Sequence, residues 1–126
     1  MKNTQLKKGI ILIKVMKEKE ALKIILPLAE KNHIKAQYFL GFMYYEGIEV
    51  APNDKKAVKW FTKAAEQGHA EAQFKLGHMY DFGYGVKTDD TEAIKWYIKA
   101  AEQGHATAQN NLGYMGSPQN SDKIAR

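Results

Sequence analysis

The chain has 126 residues, 44% of them hydrophobic, with no cysteine and a formal net charge of +5. Such a length and composition fit one small domain able to bury a core. The lack of thiols excludes disulfides, thiolate metal sites and cysteine nucleophiles, and favours a reducing compartment. Six lysines and two glutamates fall in residues 1–20, while the rest is near balance with 13 basic and 12 acidic residues. The only arginine is Arg126. Readers of bases and phosphates favour the two-pronged guanidinium, so this lysine-dominated charge argues against nucleic acid as the partner.

Residues 1–19 begin with a basic segment, and their apolar run from Gly9 to Ile13 is ended by Lys14. The run is too short to span a membrane and lacks a small-residue cleavage site. It reads as a helix leading into the rest of the chain, in a cytoplasmic protein; a periplasmic or exported one would have lost a signal peptide beforehand.

From residue 20 the chain repeats itself. Leu40, Leu76 and Leu112 are 36 residues apart, and Gly41, Gly77 and Gly113 follow them directly. The same offset joins Ala36, Ala72 and Ala108, then Gln37, Gln73 and Gln109, then His33, His69 and His105. It also joins Trp60 to Trp96, with Ile24 one period earlier. A period of this size signals stacked repeats rather than one closed core. Three units follow, at about 20–52, 53–88 and 89–116, with 117–126 as a flexible tail.

Each unit reads as two helices. In "NDKKAVKWFTKAAEQ", residues 53–67, the residues Ala57, Trp60, Phe61, Ala64 and Ala65 share one helical face. Asn53 or Asp54 supplies an N-cap, and Gly68 a left-handed stop. The second helix, about 69–82, buries Ala72, Leu76, Met79, Tyr80 and part of Gln73. A glycine inside it, Gly77, costs about 1 kcal/mol against alanine, which implies close approach of the paired helix. The loop "DFGYGVKTDD" turns on Gly83 and Gly85. Glu49 replaces Gly85 in the first unit and predicts a different turn there. Also in the first unit, Pro27 is expected to interrupt and bend the first helix, and Asn32 replaces the stop glycine. In the third unit, Asn110 and Asn111 replace Phe74 and Lys75, and Gly116, Ser117 and Pro118 break the helix. That polar, shortened unit reads as a cap.

The run "AVKWFTKAAEQGHAEAQFKLGHMYDFGYGV" carries Ala-x-x-Trp, Ala-Ala-Glu-x-Gly, Ala-x-x-x-Leu-Gly-x-Met-Tyr and Gly-x-Gly-Val. It closely resembles the Sel-one-like repeat, a relative of the tetratricopeptide repeat, and the resemblance covers residues 20–115. Residues 4–30 also resemble the segment with which such proteins begin. The resemblance implies an all-α fold, a right-handed α-solenoid of antiparallel helix pairs, and a non-enzymatic interaction module or adaptor. Two other readings follow from it. One is an inhibitor or immunity-type protein that binds a toxin or effector. The other, weaker, is a hydrolase related to the penicillin-binding, cysteine-rich members.

Little in the chain carries chemistry. Equivalent positions in stacked units lie at least a helix spacing of about 8–10 Å apart. The three histidines therefore do not converge on a metal, and each reads as a helix start. His78 faces outward with no obvious partner. Glu30, Glu66 and Glu102 are likewise too far apart for paired acid–base work. "FGYGV" lacks the strand, spacing and Gly-Lys-Ser/Thr ending of a phosphate loop. The only serines, Ser117 and Ser121, begin no Ser-x-x-Lys pattern. No cofactor is implied. One column reads as surface: Lys23, Lys59 and Lys95 recur one period apart, joined by Lys63 and Lys99. Lys59 and Lys63 lie i, i+4 on one ridge of the first helix, which in two-helix solenoids lines the concave side. A one-signed ladder there, beside Trp60 and Trp96, is the candidate groove for another protein or peptide of acidic character. Self-association through the first helix or the last unit is a further expectation.

Overall fold

The computed structural model describes residues 20–115, except for the side chain of Met115. The N-terminal segment 1–19 and the tail, including the helix stop expected at Gly116, Ser117 and Pro118, lie outside the described residues. Among the described residues there are six helices and no strand. Helix α1 covers residues 20–30. It is followed by α2 (Ile34–Glu46), α3 (Asp54–Glu66), α4 (Ala70–Phe82), α5 (Asp90–Glu102) and α6 (Ala106–Met115). The fold is an all-α helical repeat solenoid in which α2 packs on α3, α3 on α4, α4 on α5 and α5 on α6.

Two alternating kinds of cap set the helix boundaries. The odd-numbered helices α3 and α5 start at a short polar side chain: Asn53 Oδ1 accepts the Lys56 N–H at 3.0 Å, and Asp89 Oδ1 the Glu92 N–H at 3.1 Å. The even-numbered helices start at histidine. Nδ1 of His33, His69 and His105 accepts the N–H of Ala36, Ala72 and Ala108 at 3.2, 3.1 and 3.1 Å. Between each odd helix and the next stands a residue in the left-handed region, Asn32 (φ 72°), Gly68 (φ 92°) or Gly104 (φ 87°).

Three expectations are corrected. α1 continues through Pro27 instead of being interrupted there. Pro27 is exposed, as is Lys23, whose carbonyl the missing N–H would have met, so solvent is available to that carbonyl. The loop after α2 does not turn differently: Glu49 adopts φ 63°, beside φ 74° at Gly85. The left-handed turn is kept at the expense of a strained non-glycine residue. Finally, the glycines inside α2 and α4 are crowded by the first helix of the following unit, not by the paired helix. A Cβ on Gly41 would lie 2.7 Å from Phe61 Cδ1 on α3, and one on Gly77 2.7 Å from Tyr97 Cδ1 on α5.

The core forms three linked clusters. Ala29, Ala36, Leu40 and Trp60 form the first, a middle cluster centres on Phe61, Leu76, Met79 and Trp96, and Ala93, Tyr97, Ala100 and Ala108 form the third. Each cluster takes side chains from adjacent units, the third through the half-buried Phe74 and Tyr80 packed against it, so each helix pair completes its neighbour's interior. Leu40 and Leu76 are fully buried, whereas Leu112, at the C-terminal end, is only half-buried.

Candidate functional site

The sequence-derived groove residues fall on α1, α3 and α5. Lys23, Lys59, Lys63, Lys95 and Lys99 are all exposed. Trp60 and Trp96 retain only 8% and 7% exposure, so they mainly fill the space between units. Each indole is straddled by two ammonium groups: Lys59 and Lys63 stand 4.9 and 5.7 Å from the Trp60 ring, Lys95 and Lys99 5.0 and 5.4 Å from that of Trp96. The i, i+4 spacing produces this clamp, because one helical turn places both lysine stems over the ring between them. Lys95 also meets Glu92 at 3.8 Å. In the first unit Ile24, 63% exposed, stands at the tryptophan position beside Lys23.

The glutamine column has a role beyond its burial. Gln37 donates to the Ala29 carbonyl at 3.2 Å, Gln73 to that of Ala65 at 3.2 Å, and Gln109 to that of Ala101 at 3.1 Å. The next unit then donates back: Gln67 to Gln37 Oε1 at 2.6 Å and Gln103 to Gln73 Oε1 at 2.8 Å. A relay of side-chain amides therefore stitches successive units together. Gln67 and Gln103 also recur at 36 residues, a column that announces this pairing once the buried glutamines are recognised as needing partners.

The histidines are occupied structurally. With Nδ1 accepting from the backbone, the neutral imidazole carries its proton on Nε2. In His105 that Nε2–H donates to Glu71 Oε2 at 2.6 Å, a contact between units that the sequence did not disclose. His69 stacks on Tyr38 (4.7 Å) and His105 on Phe74 (4.6 Å). Burial lowers the His69 pKa from 6.5; Glu71 opposes the shift and Lys35 adds to it. Burial, then the charge of Glu71, pushes the Tyr38 hydroxyl up to about 12. Tyr97 is raised by burial and by Asp81, whose Oδ2 accepts its hydroxyl at 3.3 Å. Among the described residues, no three side chains of metal-ligating type converge. None of the described helices is long and apolar enough to cross a membrane.

A second surface was only partly anticipated. His78 is not isolated: it lies 4.7 Å from Phe82, 5.7 Å from Tyr84 and 6.4 Å from Phe74. Lys75 stands 5.6 to 6.0 Å from the rings of Tyr45, Phe42 and Phe74. Phe39 and Tyr114 are 50% and 55% exposed.

No curated protein matches the chain. Among solved structures it is similar to a Sel1 repeat protein from Oxalobacter formigenes, with 42% identity and a TM-score of 0.75 over 86% of this chain and 44% of that one. It is also similar to a protective antigen of uropathogenic Escherichia coli strains that displays an SLR fold, with 34% identity and a TM-score of 0.73 over 86% of this chain and 26% of that one. The chain thus spans less than half the length of either neighbour. A model of the Sel1 repeat matches residues 34–69, 70–105 and 106–125. Those three tandem matches begin at α2 and run past α6 to residue 125, and the chain belongs to the Sel1 repeat family, whose members generally serve as non-catalytic scaffolds for protein–protein interaction.

Proposed function

We propose that this protein is a non-enzymatic adaptor that holds an acidic, extended segment of another protein across α1, α3 and α5. The observation that carries this reading is the lysine clamp around a buried indole, repeated with nearly the same distances in two successive units. A buried tryptophan is a fixed floor. Lysine stems lying over it are partly ordered before any partner arrives, which lowers the side-chain entropy lost on binding. The ammonium groups remain exposed and face carboxylates without needing to be desolvated first. Lys23 extends the row by one unit.

The test is a titration of the full chain with a labelled glutamate-rich peptide, a neutral peptide of equal length and a DNA duplex, at two salt concentrations. The acidic peptide should bind, weakening with salt as exposed charge contacts do. The variant carrying Lys59→Glu and Lys95→Glu should lose most of that affinity. Equal affinity for the neutral peptide, or an unaffected double variant, would remove the lysine row from the binding surface.

A further inference from the structure

The two ends of the described solenoid carry unfilled halves of the same junction. Internally, α2 seats on α3 and α4, with Gly41 against Phe61 and with Phe42 and Tyr45 against Lys75. One period later α4 seats on α5, with Gly77 against Tyr97 and against the carbonyl of Ala93. At the C-terminal end of the described residues, α6 presents the equivalent Gly113, and none of the described residues lies within 4 Å of where its Cβ would stand. Leu112 is half-buried and Tyr114, at the position of Phe42, is 55% exposed.

At the other end, a groove of about 240 Å³ is lined by Ala21, Ile25, Phe39, Phe42, Met43 and Ile48. One period on, these positions are Ala57, Phe61, Lys75, His78, Met79 and Tyr84. Phe61 and Lys75 among them are residues that α2 covers. The groove is therefore the socket in which an even-numbered helix of a preceding unit would sit.

We propose that copies of this chain associate head to tail, α6 of one copy seating in the α1–α2 groove of the next. The occupant follows from complementarity with the internal junctions. Ile25 supplies an apolar side chain to lie over Gly113, as Phe61 and Tyr97 do over Gly41 and Gly77. Ala21 keeps the small residue found at Ala57 and Ala93. Lys31 stands where Gln67 and Gln103 stand, and its ammonium is a donor for Gln109 Oε1, the next acceptor in the amide relay. One contact is missing. Asn110 replaces Tyr38 and Phe74, the rings that stack on His69 and His105, so the joint between copies is weaker than the joints within one. Because the two surfaces differ, the contact is heterologous and propagates into longer assemblies instead of closing as a two-fold dimer.

Sedimentation velocity of the full chain over a wide concentration range should show a growing series of species. Gly113→Arg places a long side chain where the socket must close and has no neighbour among the described residues to disturb, so it should leave helix content intact and abolish association. Asn110→Phe should lower the concentration of half-association roughly tenfold, as a restored aromatic contact would. The chain has no native cysteine, which permits a directional test. Tyr114→Cys mixed with Phe39→Cys should be joined by a short bifunctional thiol reagent, because the equivalent Phe42 ring and Lys75 ammonium stand 5.9 Å apart internally, while neither variant should cross-link to itself. A monomer at every concentration, association unaffected by Gly113→Arg, or efficient self-cross-linking of Tyr114→Cys would each overturn the proposal. A monomer would mean that another segment fills the socket or that it stays open; self-cross-linking would mean a two-fold contact between α6 helices.

Discussion

Alanine at the three equivalent glycines separates crowding from helix propensity. In a helix interior glycine costs about 1 kcal/mol against alanine, so on propensity alone each substitution should stabilise. At Gly77 the new methyl would stand 2.7 and 2.8 Å from two ring carbons of Tyr97 and 3.1 Å from the Ala93 carbonyl oxygen, where carbon contacts relax at about 3.5–4.0 Å. The ring has little freedom to swing away. It is fully buried, tethered through its hydroxyl to Asp81, and packed beside Phe74. Either α4 or α5 must shift, and such overpacking costs about 1–3 kcal/mol. Gly77→Ala should therefore destabilise by about 1 kcal/mol net, close to 4 °C in midpoint for a domain of this size. Gly41→Ala, facing the buried Phe61 ring at 2.7 Å, should behave alike. Gly113→Ala meets none of the described residues within 4 Å and should stabilise by up to about 1 kcal/mol, less for its place near the end of α6. Urea unfolding at low protein concentration, followed by fluorescence of the two buried tryptophans, reads all three. If Gly77→Ala and Gly113→Ala shift the midpoint by the same amount in the same direction, the glycine column is not explained by close approach.

Other consequences can be checked with the same assay. Gln73→Leu removes both a donor to the Ala65 carbonyl and the acceptor of Gln103, and should cost about 2 kcal/mol. Gln109→Leu, at an exposed position with its one donor bond to Ala101, should cost about 1 kcal/mol or less; equal losses would deny the relay a stabilising role. Glu49→Gly relieves a left-handed φ of 63° and should stabilise by about 1 kcal/mol, whereas a destabilised variant would show that the side chain itself holds the loop. For His69, whose folded pKa lies below 6.5, the neutral ring is the favoured folded form. Its contribution is complete above 6.5 and is lost as pH falls through the lower folded value. The wild type should therefore weaken on acidification more than His69→Asn, which keeps an N-cap without a titrating ring; identical pH profiles would contradict this.

How much was legible follows from what a period encodes. A 36-residue recurrence of Leu-Gly, Ala, Gln, His and Trp fixes the number of helices per unit, their caps and their buried faces, because these depend on residue type and local spacing. The i, i+4 pairing of Lys59 with Lys63 was readable, although the placement of both ammonium groups over a buried indole was not. Long-range geometry was not legible. The sequence announces that Gly77 needs room but not that Tyr97 of the following unit takes it. It shows His78 facing outward with no obvious partner, yet the rings of Phe74, Phe82 and Tyr84 stand around it. Glu71 and His105 are 34 positions apart and meet only because successive units stack. Alone, the sequence determined the repeat, its helices and their stops, since backbone hydrogen bonding and capping act within a few residues. Tertiary structure alone decided which helix fills each notch, because contact between units depends on how whole helices lean on one another, and no local pattern records that.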